Sequence, residues 1–284
     1  MADAGHVFGG GVAVVTGAGS GIGAGLARNA GALGMIVIAA DIDGAAAHCT
    51  AEAIRAGGGR AEAMRVDVSL PEELDRLAEQ VFARHGAVRL LVNNAGIETV
   101  GNTWELTAAR WETTLKTNLH GVIHGVRAFV PRMIASGAEA WIGNLSSVGA
   151  FGQMPGQTAY AVTKHAVQAF SECLYLEMEL AELPIHVSTI VPGLIRTNIF
   201  NDGASQGEPG NAAAHRRAMF EMMRDHGMDV DEACRGFLEQ MAQNRFWVHS
   251  HPETSEQIIS GRVRFLGEQL NPVMPELARR IAVG

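Results

Sequence analysis

Tyr160 and Lys164 stand four apart in a stretch whose apolar pattern predicts a helix, which puts both side chains on one face about one turn apart. A phenol with an ammonium beneath it can work as an acid/base pair. Tyrosine is a poor base at neutral pH, and a nearby cation favours its phenolate. The same spacing also describes an ordinary surface pair on a helix, so the pair needs a site around it. Ser146 and Ser147 end a predicted strand, Ser147 lying 13 residues before Tyr160. Their hydroxyls could hold a substrate oxygen, or simply cap the turn that follows.

A second cluster lies near the N-terminus. Thr16-Gly17-Ala18-Gly19-Ser20-Gly21-Ile22-Gly23 follows a predicted strand and opens a predicted helix. Residues without a Cβ let such a turn close tightly and bring backbone N–H groups to a diphosphate. The pattern reads T-G-x-x-x-G-I-G rather than the strict G-x-G-x-x-G, and in a chain with 34 glycines plain turn chemistry is the alternative. Asp41 ends the second predicted strand, 20 residues past Gly21. A carboxylate there would accept hydrogen bonds from adenosine ribose hydroxyls and repel a 2′-phosphate. Arg28 is the only Lys or Arg between Met1 and Ile54, so this stretch offers no cation for that phosphate, and NAD is favoured over NADP.

These residues need a scaffold that alternates strands and helices. Apolar runs at Val12–Thr16, Met35–Asp41, Ala61–Val68, Leu90–Asn93, Trp141–Ser146 and His186–Val191 read as buried strands. Helical segments are predicted between them at Ile22–Leu33, Gly44–Ala56, Pro71–His85, Ala108–Ala135 and Ala159–Ala181. That order predicts an α/β, doubly wound parallel sheet of the Rossmann type, as one domain over 1–284. After Pro192 the alternation stops. A polar, Gly-rich stretch from Asn201 to Asn211 leads into helical sequence, Asp229 with Glu232 marks a helix start, and Arg245–Ser250 reads as a last strand. This C-terminal extension, about 194–245, is expected to form a substrate loop or lid.

The 284 residues are 47% hydrophobic, enough for a large core, and carry a formal net charge of -8. The acidic balance argues against nucleic acid or an anionic membrane surface as partner and for a small molecule. Cys49, Cys173 and Cys234 are too scattered for a disulfide framework or zinc cluster, and no metal is expected. With no signal-peptide pattern and no spanning apolar stretch, a cytoplasmic protein is expected. His120 and His124 have helical spacing but lack the glutamate of H-E-x-x-H and read as packing or interface histidines. His165 reads as structural. Met219, Phe220, Met222, Met223 and Phe237 fit either a substrate-cavity wall or the core of the C-terminal helices.

From Val12 to Thr197 the sequence resembles the single-domain branch of the short-chain dehydrogenase/reductase family. Asp67-Val68 matches its adenine-contacting pair, Asn93-Asn94-Ala95-Gly96 its N-N-A-G turn, and Pro192-Gly193 with Thr197 its P-G-x-x-x-T turn against the nicotinamide. Asn118, Ser147, Tyr160 and Lys164 match its catalytic positions. The resemblance implies cofactor contacts from Gly17, Ser20, Gly21, Ile22, Gly23, Asp41, Asp67, Val68, Asn94, Ala95, Gly96, Tyr160, Lys164, Pro192, Gly193 and Thr197. It further implies that Tyr160 takes the alcohol proton during hydride transfer, Ser147 rather than Ser146 holds the substrate oxygen, Lys164 holds the nicotinamide ribose, and Asn118 holds a water of a proton relay. The expected activity is NAD-dependent interconversion of a secondary alcohol and a ketone, with a bulky hydrophobic substrate if the extension is a lid. A homotetramer or dimer is expected from the same resemblance. Alternatives are an NADPH-dependent reductase of 3-oxoacyl carrier-protein thioesters, and, in another class, a non-catalytic NAD-binding regulator.

Overall fold

Five consecutive buried residues, Val12–Thr16, form β1 in the computed structural model, as expected for a strand covered on both faces. The structure describes residues 3–201, 208–210, 212–276 and 278–279. β2 (Ile36–Asp41), β3 (Arg60–Arg65), β4 (Leu90–Asn93), β5 (Ala140–Leu145), β6 (Ile185–Val191) and β7 (Trp247–His249) join β1 in one sheet. The order is β3-β2-β1-β4-β5-β6-β7 and every pair is parallel. The chain reverses direction of travel between β1 and β4, so a crevice opens at their carboxyl ends, where doubly wound sheets bind ligands.

Helices cover both faces. α1 (Ala4–Phe8), α2 (Gly21–Ala32), α3 (Gly44–Ala56) and, later in the chain, α9 (Val230–Met241) lie on one side, where Phe8, Leu26, Ile54, Phe237 and Met241 share a core with β1, β2 and β4. α4 (Pro71–His85), α6 (Gly121–Ser136) and α7 (Thr158–Leu180) supply Leu74, Leu77, Phe129, Met133, Leu174 and Met178 to the other side. Gly25 sets how closely α9 approaches α2, because a Cβ there would lie 2.6 Å from a Val230 methyl.

The doubly wound architecture and its strand order of appearance agree with the sequence reading. Three details differ. β3 ends at Arg65, short of Val68, because Asp67 turns the chain: its carboxylate accepts from the Ser69 N–H and its own N–H donates to Glu73. The helix expected over 108–135 is interrupted, with α5 (Ala108–Leu115) separated from α6 by a π-turn at Lys116–His120. α1 and α10 (Pro252–Gly267) were not anticipated. The Gly-rich stretch read from Asn201 to Asn211 falls outside the described residues at 202–207 and 211. Beyond it α8 (Ala212–His226) begins, and Asp229 caps α9 by accepting from the N–H groups of Asp231 and Glu232.

Candidate active site

Tight packing of the Gly-rich turn against the end of β4 builds the crevice floor. Gly17 has φ +65°, and a Cβ there would lie 2.7 Å from the Ala95 Cα. Asn94 fastens the two segments, its Nδ2 donating to the Thr16 carbonyl at 2.8 Å and its backbone N–H to Thr16 Oγ1 at 3.0 Å. Gly23 is required by the turn itself, since a Cβ would come within 2.0 Å of the Gly17 carbonyl oxygen. Asp41 Oδ2 accepts from the Gly19 N–H at 2.8 Å and Oδ1 from the Asp43 N–H at 2.9 Å, so the carboxylate also braces the turn. Beside it a cavity of about 390 Å³ is lined by Gly19, Ser20, Gly21, Arg28, Arg196 and Thr197, among others.

This donor set fits a dinucleotide: a helix N-terminus with free backbone N–H groups for a diphosphate, and a half-buried carboxylate at the end of β2 for ribose hydroxyls. The cations nearby need one correction to the sequence reading. Arg28 is paired with Asp231 at 2.6 Å, but the parallel register sets Arg65 opposite Asp41. A search limited to residues before Ile54 could not find a cation that arrives from the next strand.

A larger cavity, about 1270 Å³, opens beyond β5 and β6. Ser147, Tyr160, Pro192, Gly193, Ile22 and Thr197 line it, together with Met219, Met222 and Met223 of α8 and Ile258 and Phe265 of α10. The methionine segment therefore divides: these three side chains face the cavity, Phe220 packs on a small satellite cluster with Val100 and Phe200, and Phe237 lies in the main core. Gly193 is held by its N–H donating to Ser250 Oγ at 2.9 Å, and a Cβ there would strike the His251 ring.

The structure separates the two serines. Ser146 is fully buried and its hydroxyl donates to the Lys164 carbonyl at 3.2 Å. Ser147 lines the cavity, its Oγ accepting from the Gly149 N–H at 3.0 Å, and shares that wall with Tyr160. Lys164 lies behind Tyr160, 5.4 Å from the ring centroid, and donates to the Leu145 carbonyl at 2.7 Å. Sequence reasoning expected this cation to lower the phenol's proton affinity. In the folded chain burial wins: it pushes Tyr160 well above its ordinary value, Glu98 adds to the rise, and Ser147 opposes it. Burial also pushes Lys164 down to about 8, against the pull of Glu98.

Asn118 sits in the π-turn and grips the segment after β4 with both ends of its amide. Oδ1 accepts from the Ile97 N–H at 2.8 Å, and Nδ2 donates to the Ile97 carbonyl at 2.9 Å and to Thr163 Oγ1 at 3.2 Å. Such a widened turn inside a helix is a common mark of a functional site. The amide thus ties the β4 turn to the Tyr160 helix. Asp67 and Val68 stand at the end of β3, on the far side of the Gly-rich turn from Tyr160.

Sequence reasoning missed Glu98 and the part of the cavity wall that α10 supplies. Glu98 is 2% exposed and lines the large cavity, held by a clasp from α8. The Arg216 guanidinium donates to the Glu98 carbonyl at 2.9 Å and grips both Glu208 oxygens, at 2.6 and 2.5 Å. Arg110 adds a longer contact to the same Glu208 carboxylate, at 3.4 Å. The available signal for Glu98 was an acid two residues past Gly96, inside an otherwise uncharged run. No signal marked Ile258 or Phe265, because α10 has no clear apolar stripe.

Among the described residues no helix is long and apolar enough to cross a membrane, and no group of three or more metal-ligating side chains gathers. A family model for short chain dehydrogenases matches residues 11–207. The chain is 40% identical over 192 residues to "Probable oxidoreductase EphD" of Mycobacterium tuberculosis, covering 68% of this chain but only about a third (32%) of that longer relative. Its fold superposes on a short chain dehydrogenase/reductase from Burkholderia phymatum in complex with NAD, with TM-score 0.89, 32% identity and coverage of 95% and 98% of the two chains. A metagenomic short-chain oxidoreductase in complex with NADP gives TM-score 0.62 at 33% identity, covering 66% of this chain and 84% of the other. With the family model spanning well over half of its length, the chain belongs to the short chain dehydrogenases, a family of oxidoreductases that work with NAD or NADP.

Proposed function

We propose that the protein is an NAD-dependent oxidoreductase that interconverts a bulky, apolar secondary alcohol and its ketone. The observation that carries this reading is the placement of Ser147 and Tyr160 together on the wall of a cavity otherwise lined mainly by apolar side chains. At about 1270 Å³ it has room for a nicotinamide and a substrate of several rings.

When bound, the nicotinamide accepts or supplies the hydride. Tyr160 Oη takes the alcohol proton in oxidation and returns it to the ketone oxygen in reduction. Ser147 Oγ holds that same oxygen and steadies the charge that develops on it. The raised proton affinity of the phenol keeps it from being a base by itself; an oxidised nicotinamide held at this site would supply positive charge that favours the phenolate. Lys164 holds the nicotinamide ribose, and Asn118 keeps the β4 turn, with Ala95 and Gly96, in register with Lys164. Residues 194–245 act as the substrate loop of a single domain, with α10 as a further wall.

Asp41 supports NAD, because a second anion at the ribose meets a carboxylate already engaged with Gly19. Arg65, its register partner, favours NADP and with it the 3-oxoacyl reductase reading. Exposed Val162, Leu176 and Leu180 on α7 support association into a homo-oligomer, and the setting is taken to be cytoplasmic.

The test is absorbance at 340 nm with NAD and separately NADP, against secondary alcohols graded from small aliphatic to bulky aromatic. Turnover rising with apolar size and with NAD is the expected result. Tyr160→Phe should lose at least about a hundredfold in turnover while NADH binding, read by fluorescence, stays close to wild type. Retained turnover in that variant removes Tyr160 from the acid/base role.

A further inference from the structure

Glu98 is a buried carboxyl that the reaction described above does not use. Its backbone is fixed from two sides, the carbonyl accepting from Arg216 at 2.9 Å and from Arg110 at 3.4 Å. Its side chain is fixed as well, with Oε1 accepting from the Thr99 N–H at 3.1 Å. Among the described residues, no protein group bonds its second oxygen, Oε2, and the residue lines the substrate cavity with Ser147 and Tyr160. Oε2 is not fully enclosed by protein, so a molecule in the cavity can meet it.

The charge state follows from the surroundings. Burial raises the Glu98 carboxyl well above its ordinary value, further helped by the carboxylate of Glu208, while the Thr99 N–H, Arg216 and Lys164 pull the other way without cancelling it. A neutral acid also suits the neighbouring base, because an ionised Glu98 would raise Tyr160 further and oppose its phenolate. With Oε1 accepting from Thr99, a proton held by this carboxyl falls to Oε2, which makes that oxygen the donor available to a molecule in the cavity that Glu98 lines.

We propose that Glu98 is a second substrate anchor, whose Oε2–H donates to an oxygen on the carbon next to the one that reacts. The inference rests on the cavity being the substrate site, and it narrows the substrate to a large apolar molecule oxygenated at two neighbouring carbons, such as a hydroxyketone. A mono-oxygenated molecule of the same shape would leave the Oε2–H unpaired, which is the strongest form of discrimination a polar group in an apolar site provides.

A matched pair of probes tests this: deoxybenzoin, a diaryl ketone, and benzoin, the same skeleton with a hydroxyl on the adjacent carbon. Binding to the full-length protein saturated with NADH is measured by calorimetry, and kcat/KM by NADH oxidation. The wild type should favour benzoin by about tenfold or more, Glu98→Gln should keep the preference through its amide N–H, and Glu98→Leu should bring the ratio to within about twofold of one. Reading a ratio on each protein separates a lost anchor from a general loss of folded enzyme. Equal values in the wild type, no measurable binding of either ketone, or a preference that survives in Glu98→Leu overturns the proposal. If benzoin binds preferentially through Glu98 but neither ketone is reduced, the anchor stands and the alcohol–ketone reading falls; if both are reduced equally, the reverse holds.

Discussion

Replacing Arg216 with methionine removes the centre of a buried clasp, and the structure sets the size of the effect. Arg216 is 0% exposed and the Glu208 side chain 1% exposed, so water does not stand in for the lost guanidinium. Among the described residues Glu208 keeps the 3.4 Å contact to Arg110 and the Val100 N–H at 2.8 Å, and the Glu98 carbonyl loses its closest donor. Removing one member of a buried pair costs about 3–5 kcal/mol, and the surviving Arg110 contact places this case near the lower value. For a chain of this size, about 3 kcal/mol corresponds to a fall in Tm of about 6 °C. The assay is differential scanning calorimetry of the wild type, Arg216→Met, Glu208→Leu and the double variant. Each single variant leaves a buried charge behind; the double variant leaves neither of the two and should recover most of the stability, to within about 1 kcal/mol of wild type. A single variant as stable as wild type, or a double variant as unstable as the two losses summed, would refute the assignment of the clasp as a tightly coupled buried pair.

Other outcomes follow from the same geometry. Burial depresses the Lys164 ammonium to about 8 from an ordinary 10.5, so the unfolded chain binds more protons between those values and stability rises with pH across that window. Lys164→Met should therefore be inactive yet more stable than wild type at pH 7, by up to about 3 kcal/mol, with the gain fading from pH 8 upward; denaturant melts at several pH values read it out. Asp41→Ala should move the ratio of kcat/KM for NAD over NADP by about tenfold or more towards NADP, since it removes the carboxylate at the ribose and leaves Arg65 in place. Gly23→Ala should abolish NADH binding and destabilise the protein, because its methyl would overlap the Gly17 carbonyl; unchanged NADH fluorescence would show that the turn gives way more easily than its geometry implies.

The sheet and its crossovers were legible because each buried strand is a short apolar run between helical patterns, and Gly44–Ala56 and Pro71–His85 even match their predicted bounds. Ser147, Tyr160 and Lys164 were legible because local spacing plus a known pattern placed them, although nothing local distinguished Ser147 from Ser146 until β5 and α7 set one hydroxyl in the cavity and the other on a backbone carbonyl. What escaped was non-local. Arg65 comes opposite Asp41 only through parallel register, Arg216 reaches Glu98 across 118 residues, and the direction of the Tyr160 shift depends on burial that a tyrosine–lysine spacing does not reveal. The π-turn at Asn118 escaped because its residues read as helix, and only the widened hydrogen-bond ladder tells it apart.

The cavity is built from two stretches of different kinds. One wall, with Ser147, Tyr160 and the turn at Pro192, lies inside the part of the chain that the family model covers, which ends at residue 207. Its enclosing wall, with Met219, Met222, Met223, Ile258 and Phe265, lies after that point. The Arg216 bond to the Glu98 carbonyl, the α2–α9 contact at Gly25 and the pairing of β7 with β6 are among the contacts that rivet the second stretch to the first. Substitutions after residue 207 can therefore reshape the enclosing wall while Ser147 and Tyr160, encoded upstream, stay as they are.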